Sequence, residues 1–471
     1  MLKTIIEKEI RDIIGSTKFA VTFGICAVLI LLSFYVGANN YLVSRARYEA
    51  AKAENLRQFA GLTDWLSVRQ HRIFLPPQPL GVLVTGISND IGRTMQITGR
   101  GELTAEDSRF NEDPLFAIFR FLDLDFLFGI VLSLLAMVFG YDVISGEKER
   151  GTLRLALANA VPRHTYILGR FCGNFIALAV PLIAAMLLGC LLLPVFGIAL
   201  TGGEWLRLGL ILVAGLLYFG VFLTLAIFVS ALTHRSSSSF LVVLVVWILA
   251  VMIIPRVAVL LAGRAVDVPP LDEIDAQKAA FNGQLWREHR EQVAGFKPTA
   301  DDDPEKLMGE FHRFMGDLAD ERDKKMQEFA GRLNEDRHNR CRVQQRIAFT
   351  LARVSPAAQL TMAVSALAGT ALELKDHYQQ QALAYQEQYA RFMKEKTGIN
   401  TGGQMMILRI RQGEDEEPKP IDPGELPVFE FRPLGLGHSL GAAIVDLGLL
   451  ALGNVVFFAG AFITFGRYDV R

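Results

Sequence analysis

Long apolar runs alternate with charged stretches along this 471-residue chain. A helix crossing a hydrocarbon core of about 30 Å needs about 20 predominantly apolar residues. Six runs meet that length, at residues 19–38, 122–143, 166–198, 206–232, 240–262 and 440–465. The pattern predicts a mainly α membrane protein of about six transmembrane helices, because helices satisfy their own backbone polar groups in lipid. An even number of crossings puts both termini on one side. Val36-Gly37-Ala38 resembles a signal cleavage site. The apolar part before it is longer than the roughly 7–15 residues of a signal peptide, so the first run reads as an uncleaved anchor.

Lys and Arg in the short flanks set the orientation. Lys3, Lys8, Arg11 and Lys18 precede the first run, and Lys148, Arg150, Arg154 and Arg163 lie between the second and third. Arg235 sits between the fourth and fifth, Arg467 and Arg471 end the chain, and the short "TGGEW" carries neither residue type. The expected topology is multi-pass, with the termini (1–18 and 466–471) and the loop 144–165 in the cytoplasm. The insertions 39–121 and 263–437 then lie outside it. Within 1–18, Leu2, Ile5, Ile6, Ile10 and Ile13 recur at helical spacing opposite Lys3, Glu7 and Arg11, which predicts a helix in the interface plane.

The first insertion reads as mixed α/β. It opens with the charged helical stretch "SRARYEAAKAENLRQFA" and continues with "PPQPLGVLVTGIS" and "TMQITG", whose prolines and β-branched residues predict short strands. The second reads as mostly helical, with long amphipathic stretches on either side of Pro356. "AAQLTMAVSALAGTAL" is only moderately apolar. A seventh crossing there would turn the carboxyl terminus outward, so it reads as an interfacial or buried helix.

Composition agrees with this class: 51% hydrophobic residues, 21% charged and a mean hydropathy of +0.30. A formal net charge of −1 excludes the basic face of a nucleic-acid binder. Four cysteines and eight histidines form no disulfide framework, zinc spacing or catalytic motif. "KTGINTGGQ" lacks the lysine that must follow the second glycine of a phosphate-binding loop. The chain is therefore not expected to be an enzyme or to bind a cofactor.

The densest charge lies directly behind the second run, in "GEKERGTL". Glu147, Lys148, Glu149 and Arg150 end one helix; Gly151 can break it and Thr152 can cap the next. In the short helix that follows, Leu153, Ala156, Leu157 and Ala160 share a face, Arg154 and Ala158 another, until Pro162 stops it before Arg163. Such a helix between two crossings can act as a lever.

"YDVISGEKERGTLRLALANAVPRHTYILGR" resembles the coupling region of ABC-2-type permeases, the membrane subunits of ATP-binding-cassette exporters. The matching positions are Glu147, Lys148, Glu149, Gly151, Thr152, Leu153, Pro162, Arg163 and Arg170, the last more often lysine in that family. "FRFLDLDFLFGIVLSLLAMVFGYD", "SPAAQLTMAVSALAGT" and "FITFGRYDVR" are similar to the subgroup with a large extracytoplasmic domain before the last crossing. The resemblance implies a bacterial inner-membrane protein that pairs with a second permease copy or homologue. Each would be cradled by a cytosolic ABC ATPase that carries ATP and Mg. It also implies that Glu147 to Arg154, with Leu157, Pro162 and Arg163, form the ATPase-coupling site.

Polar residues in or beside the crossings are candidates for structure or for a substrate path. Asp446 stands about six residues from the outer end of the last run, roughly 9 Å deep at 1.5 Å per residue. Arg256, next to the helix-kinking Pro255, is its expected mate as a structural ion pair; Asp123 and Asp125 begin the second run. Met308, His312 and Met315 share a helix face, with His338 and Cys341 further along. They could ligate Cu(I). Beside Phe311 and Phe314 they read instead as packing, and no metal is assigned. The expected function is substrate export by a dimer. The rival is a non-translocating transducer that passes ATPase motion to a periplasmic partner, for example in metalloenzyme maturation.

Overall fold

The computed structural model describes residues 1–68, 71–86, 88, 91–98, 103–105, 124–158, 161–297, 304–397 and 420–468. Seven helical stretches among them are long and apolar enough to cross a membrane. The chain opens with α1 (Leu2–Ile14), closed by Gly15. Ser16 then starts α2 (Thr17–Arg57), its hydroxyl accepting from the Phe19 N–H at 3.1 Å. At 1.5 Å per residue α2 is about 60 Å long. Its apolar first half can cross, and its charged second half continues past the bilayer.

A three-stranded antiparallel sheet follows, in the order β1 (His71–Phe74), β2 (Thr94–Ile97), β3 (Thr104–Ala105), with His71 opposite Ile97 and Gln96 opposite Thr104. The "TMQI" strand is where the sequence predicts one. "PPQPLGVLVTGIS" is not a strand: Pro79–Val82 form a 3-10 turn whose Leu80, Val82 and Leu83 are buried. The strand beside β2 is "HRIF" instead. Proline supplies no N–H to a ladder, so this piece packs on α2 rather than pairing.

The remaining helices are α3 (Leu124–Arg150), α4 (Thr152–Ala158), α5 (Arg163–Val195), α6 (Gly202–Leu232), α7 (Ser236–Ala265), α8 (Leu271–Ala294), α9 (Pro304–Ala352), α10 (Pro356–Ala368), α11 (Glu373–Thr397) and α12 (Leu436–Gly466). The crossing bundle is built around α6, which buries Tyr218, Phe219 and Phe222. The apolar length of α6 is mostly buried within the protein, whereas those of α7 and α12 are mostly exposed. The last two therefore present their apolar faces outward.

Helix α1 lies along α5, with Ile5 over Gly169, and Arg163 Nη1 donates to the Gly466 carbonyl at 2.5 Å. These contacts bring both termini to one end of the bundle. The seventh apolar stretch, Pro356–Thr397, is two helices split at Gly369, whose φ of +70° is left-handed. Its apolar part, α10, is about 20 Å long, too short to cross. α9 runs into the bundle, turns at Ser355-Pro356, and α10 returns to the same end. Among the described residues, the other six stretches remain the candidates for crossing.

α8 and α9 form an antiparallel arm projecting from that opposite end. Phe281 stacks on Phe329 with centroids 4.1 Å apart, Arg322 lies 4.1 Å over Trp286, and Phe296 packs on Phe311 and Phe314. A second core joins the two insertions: Phe59, Ile73, Met95 and Ile97 pack with Tyr378, Tyr385, Tyr389 and Met393 of α11. The insertions, separate in sequence, share one small domain.

Candidate functional site

The charged elbow behind α3 is the most heavily bonded polar site among the described residues. α3 turns tightly at residues 141–144, leaving the Ile144 and Ser145 N–H groups without helical partners; Ser230 Oγ of α6 accepts both, at 3.0 and 2.9 Å. Its last turn, Ser145–Arg150, ends at Gly151, whose φ of +74° is one that side chains disfavour. Thr152 Oγ1 faces the Glu147 carbonyl at 3.5 Å. The hydroxyl thus reaches back to the helix before Gly151, and Thr152 is itself the first residue of α4.

Each residue of the quartet up to Glu149 reaches a different helix. Glu147 accepts from Tyr166 Oη and from Arg170 on α5. The same Arg170 donates to Glu9 of α1 at 2.5 Å, and Asn174 approaches the other Glu9 oxygen at 3.5 Å. Arg170 is 8% and Glu9 4% exposed, so the charges are shielded from water and each depends on its partner. A guanidinium fork can hold two carboxylates on separate elements. Arg170 does so here, holding Glu147 and Glu9 together.

Lys148 donates to the Ala231 carbonyl and to the Thr233 carbonyl at 3.0 Å, both at the end of α6, and lies 4.9 Å over the Tyr468 ring. Glu149 accepts from Ser236 N and Oγ at 3.1 and 2.9 Å, capping the first turn of α7 with a negative charge. Arg150 and Arg154 are exposed. With Arg163 on the end of α12, the elbow and its flank touch α5, α6, α7 and α12, and reach α1 through Arg170.

In α4, Leu153 is 1% exposed and Leu155 70%. The Leu157 side chain and residues 159–160 lie outside the described residues. Leu155 was not singled out by periodicity, which assigns the apolar face to Leu153, Ala156 and Leu157. Its signal is a leucine on the side of Arg154, where a solvated helix would carry a polar residue.

The intramembrane candidates divide. Asp446 is 1% exposed and pairs in bidentate fashion with Arg353, Nε to Oδ1 at 2.7 Å and Nη2 to Oδ2 at 3.2 Å. Arg353, not Arg256, is its mate; Arg256 is exposed on α7. Helix α12 begins at Leu436, ten residues before Asp446, so the carboxylate stands about 15 Å along the helix from its start. Asp125 accepts from Thr361 Oγ1 at 3.0 and 3.1 Å and holds the middle of α10. Asp123 lies outside the described residues. Among the described residues no group of three or more His, Cys, Asp and Glu is arranged to hold a metal, and the His312 side chain is not among them.

A family described as "ABC-2 family transporter protein" matches residues 3–470. Among curated proteins, the "Probable ABC transporter permease protein NosY" of Stutzerimonas stutzeri is 32% identical over 127 residues. That alignment spans 26% of this chain and 45% of the relative.

Proposed function

The chain belongs to the ABC-2 transporter family, and on that premise we propose that it is a permease subunit coupling ATP hydrolysis by a separate ATPase to export across a bacterial inner membrane. The observation that supports this most is the elbow: one short segment is bonded to the same-side ends of α5, α6 and α7, and through Arg170 to α1. A push on α4 therefore cannot be absorbed by one helix and displaces the bundle ends together. The exposed Leu155, beside Arg154, is the knob that an ATPase groove would take. ATP and Mg reside on that partner, and the elbow faces the cytoplasm with both termini. A second permease, identical or homologous, would cover outward-facing apolar surface such as that of α7 and α12.

A second reading, transduction without translocation, is favoured by α9. This single helix of 49 residues, about 73 Å long, runs from the projecting arm to the Asp446 pair inside the bundle. Motion of the crossings would move the arm against a periplasmic partner.

The test is purification of the tagged full chain from membranes of its host. An ABC ATPase should co-purify with the native sequence, and Leu155→Glu should reduce its recovery about tenfold or more, as loss of a central apolar anchor does. Unchanged recovery with Leu155→Glu would remove α4 as the grip.

A further inference from the structure

We propose that the α8–α9 arm is seated inside the bilayer and is carried as one rigid body by the outer halves of α7 and α12. The seat has two parts. Arg353, directly after the inner end of α9, makes the bidentate pair with Asp446 of α12. Ser355, two residues on, donates to the Ala250 carbonyl of α7 at 2.5 Å while accepting from Ala358 N at 3.3 Å, so one hydroxyl caps α10 and grips α7.

The Ala250 carbonyl is available for a reason. Ile248–Ile253 form a wide i→i+5 turn in α7, and the residue five beyond Ala250 is Pro255, which has no N–H to give. The Ser355 hydroxyl supplies the missing donor. Gln359 Nε2 closes the corner by donating to the Arg353 carbonyl at 2.6 Å. Higher up, Gln344, Arg340 and Arg337 of α9 donate to the carbonyls of Val266, Asp267 and Pro269, so the helix is tied to the end of α7 as well.

Withdrawing α9 would strand a carboxylate that is 1% exposed about 15 Å along α12 and leave the Ala250 carbonyl unpaired in an apolar surround. Sliding or tilting of the arm relative to α7 and α12 is thereby blocked, and the arm follows them. This deepens the transduction reading and rests on it for its purpose. The seat itself can be measured without an ATPase, so the two can fail separately.

Distances between spin labels on the full chain in nanodiscs test the seat, with Cys26, Cys172, Cys190 and Cys341 replaced by alanine. One pair joins the arm to the bundle (Gln292→Cys with Thr201→Cys), and a control pair stays within it (Val180→Cys with Val213→Cys). Asp446→Asn, alone and with Ser355→Ala, should widen the arm distribution at least about twofold and leave the control width unchanged, because a broken buried pair no longer defines one position. An arm width unchanged in both variants would overturn the proposal, as would equal broadening of arm and control.

Discussion

His71 shows how much of the opposite-end domain depends on one proton. Tyr385 donates its hydroxyl to the Pro427 carbonyl at 2.7 Å, so it can only accept from His71 Nε2, also at 2.7 Å. Nδ1 is left to accept from the Asn55 amide at 3.4 Å. The ring is therefore the neutral Nε2–H tautomer, and burial pushes its pKa down from 6.5 to about 4. Below pH 6.5 the unfolded chain takes up a proton that the folded chain refuses. The stabilisation is complete above that pH and is lost as pH falls from 6.5 towards 4, by about 3 kcal/mol in all. Thermal unfolding of the full chain between pH 7 and 4 should show this loss, and His71→Gln should flatten it. At this scale the sequence marks Asp446 plainly, because a carboxylate in an apolar run stands out. Its partner was not legible: Arg353 is 93 residues away and closes the distance only because α9 re-enters the bundle.

Among the elements, the crossings were readable because each is a long apolar run with basic flanks, and periodicity also finds α1 and the helices of the arm. Local chemistry hides the rest. The wide turn of α7 is foreshadowed by Pro255, but its bond to Ser355 depends on the fold. The "PPQPLGVLVTGIS" segment misleads because its apolar residues serve a docking turn. Gly37 of α2 is the receiving surface: a Cβ there would stand 2.0 Å from the Val82 carbonyl oxygen. Backbone on both sides of that contact leaves little room to yield, so Gly37→Ala should destabilise by about 1–3 kcal/mol, read as a lower unfolding midpoint in detergent. A midpoint within error of the native chain would mean that the turn is not held against α2.

For the whole molecule, the pattern of apolar runs separates bundle from insertions but cannot show that the insertions share a core. Ile73 and Tyr378 are about 300 residues apart, joined by the Tyr378 hydroxyl donating to the Ile73 carbonyl at 3.2 Å. Nor can it show that the elbow residues fan out to separate helices, since spacing gives their order and not their partners. The structure is a bundle whose helix ends are tied together at one end by a few charged side chains, with the α8–α9 arm bonded to α7 and α12 at the other. The direct test of this arrangement attaches a photo-activatable thiol reagent at Leu155→Cys, in the chain lacking its native cysteines, and cross-links in intact membranes. The account predicts an adduct carrying an ABC ATPase from position 155 and none from Gln292→Cys on the arm. An ATPase adduct from position 292, or none from position 155, would contradict it.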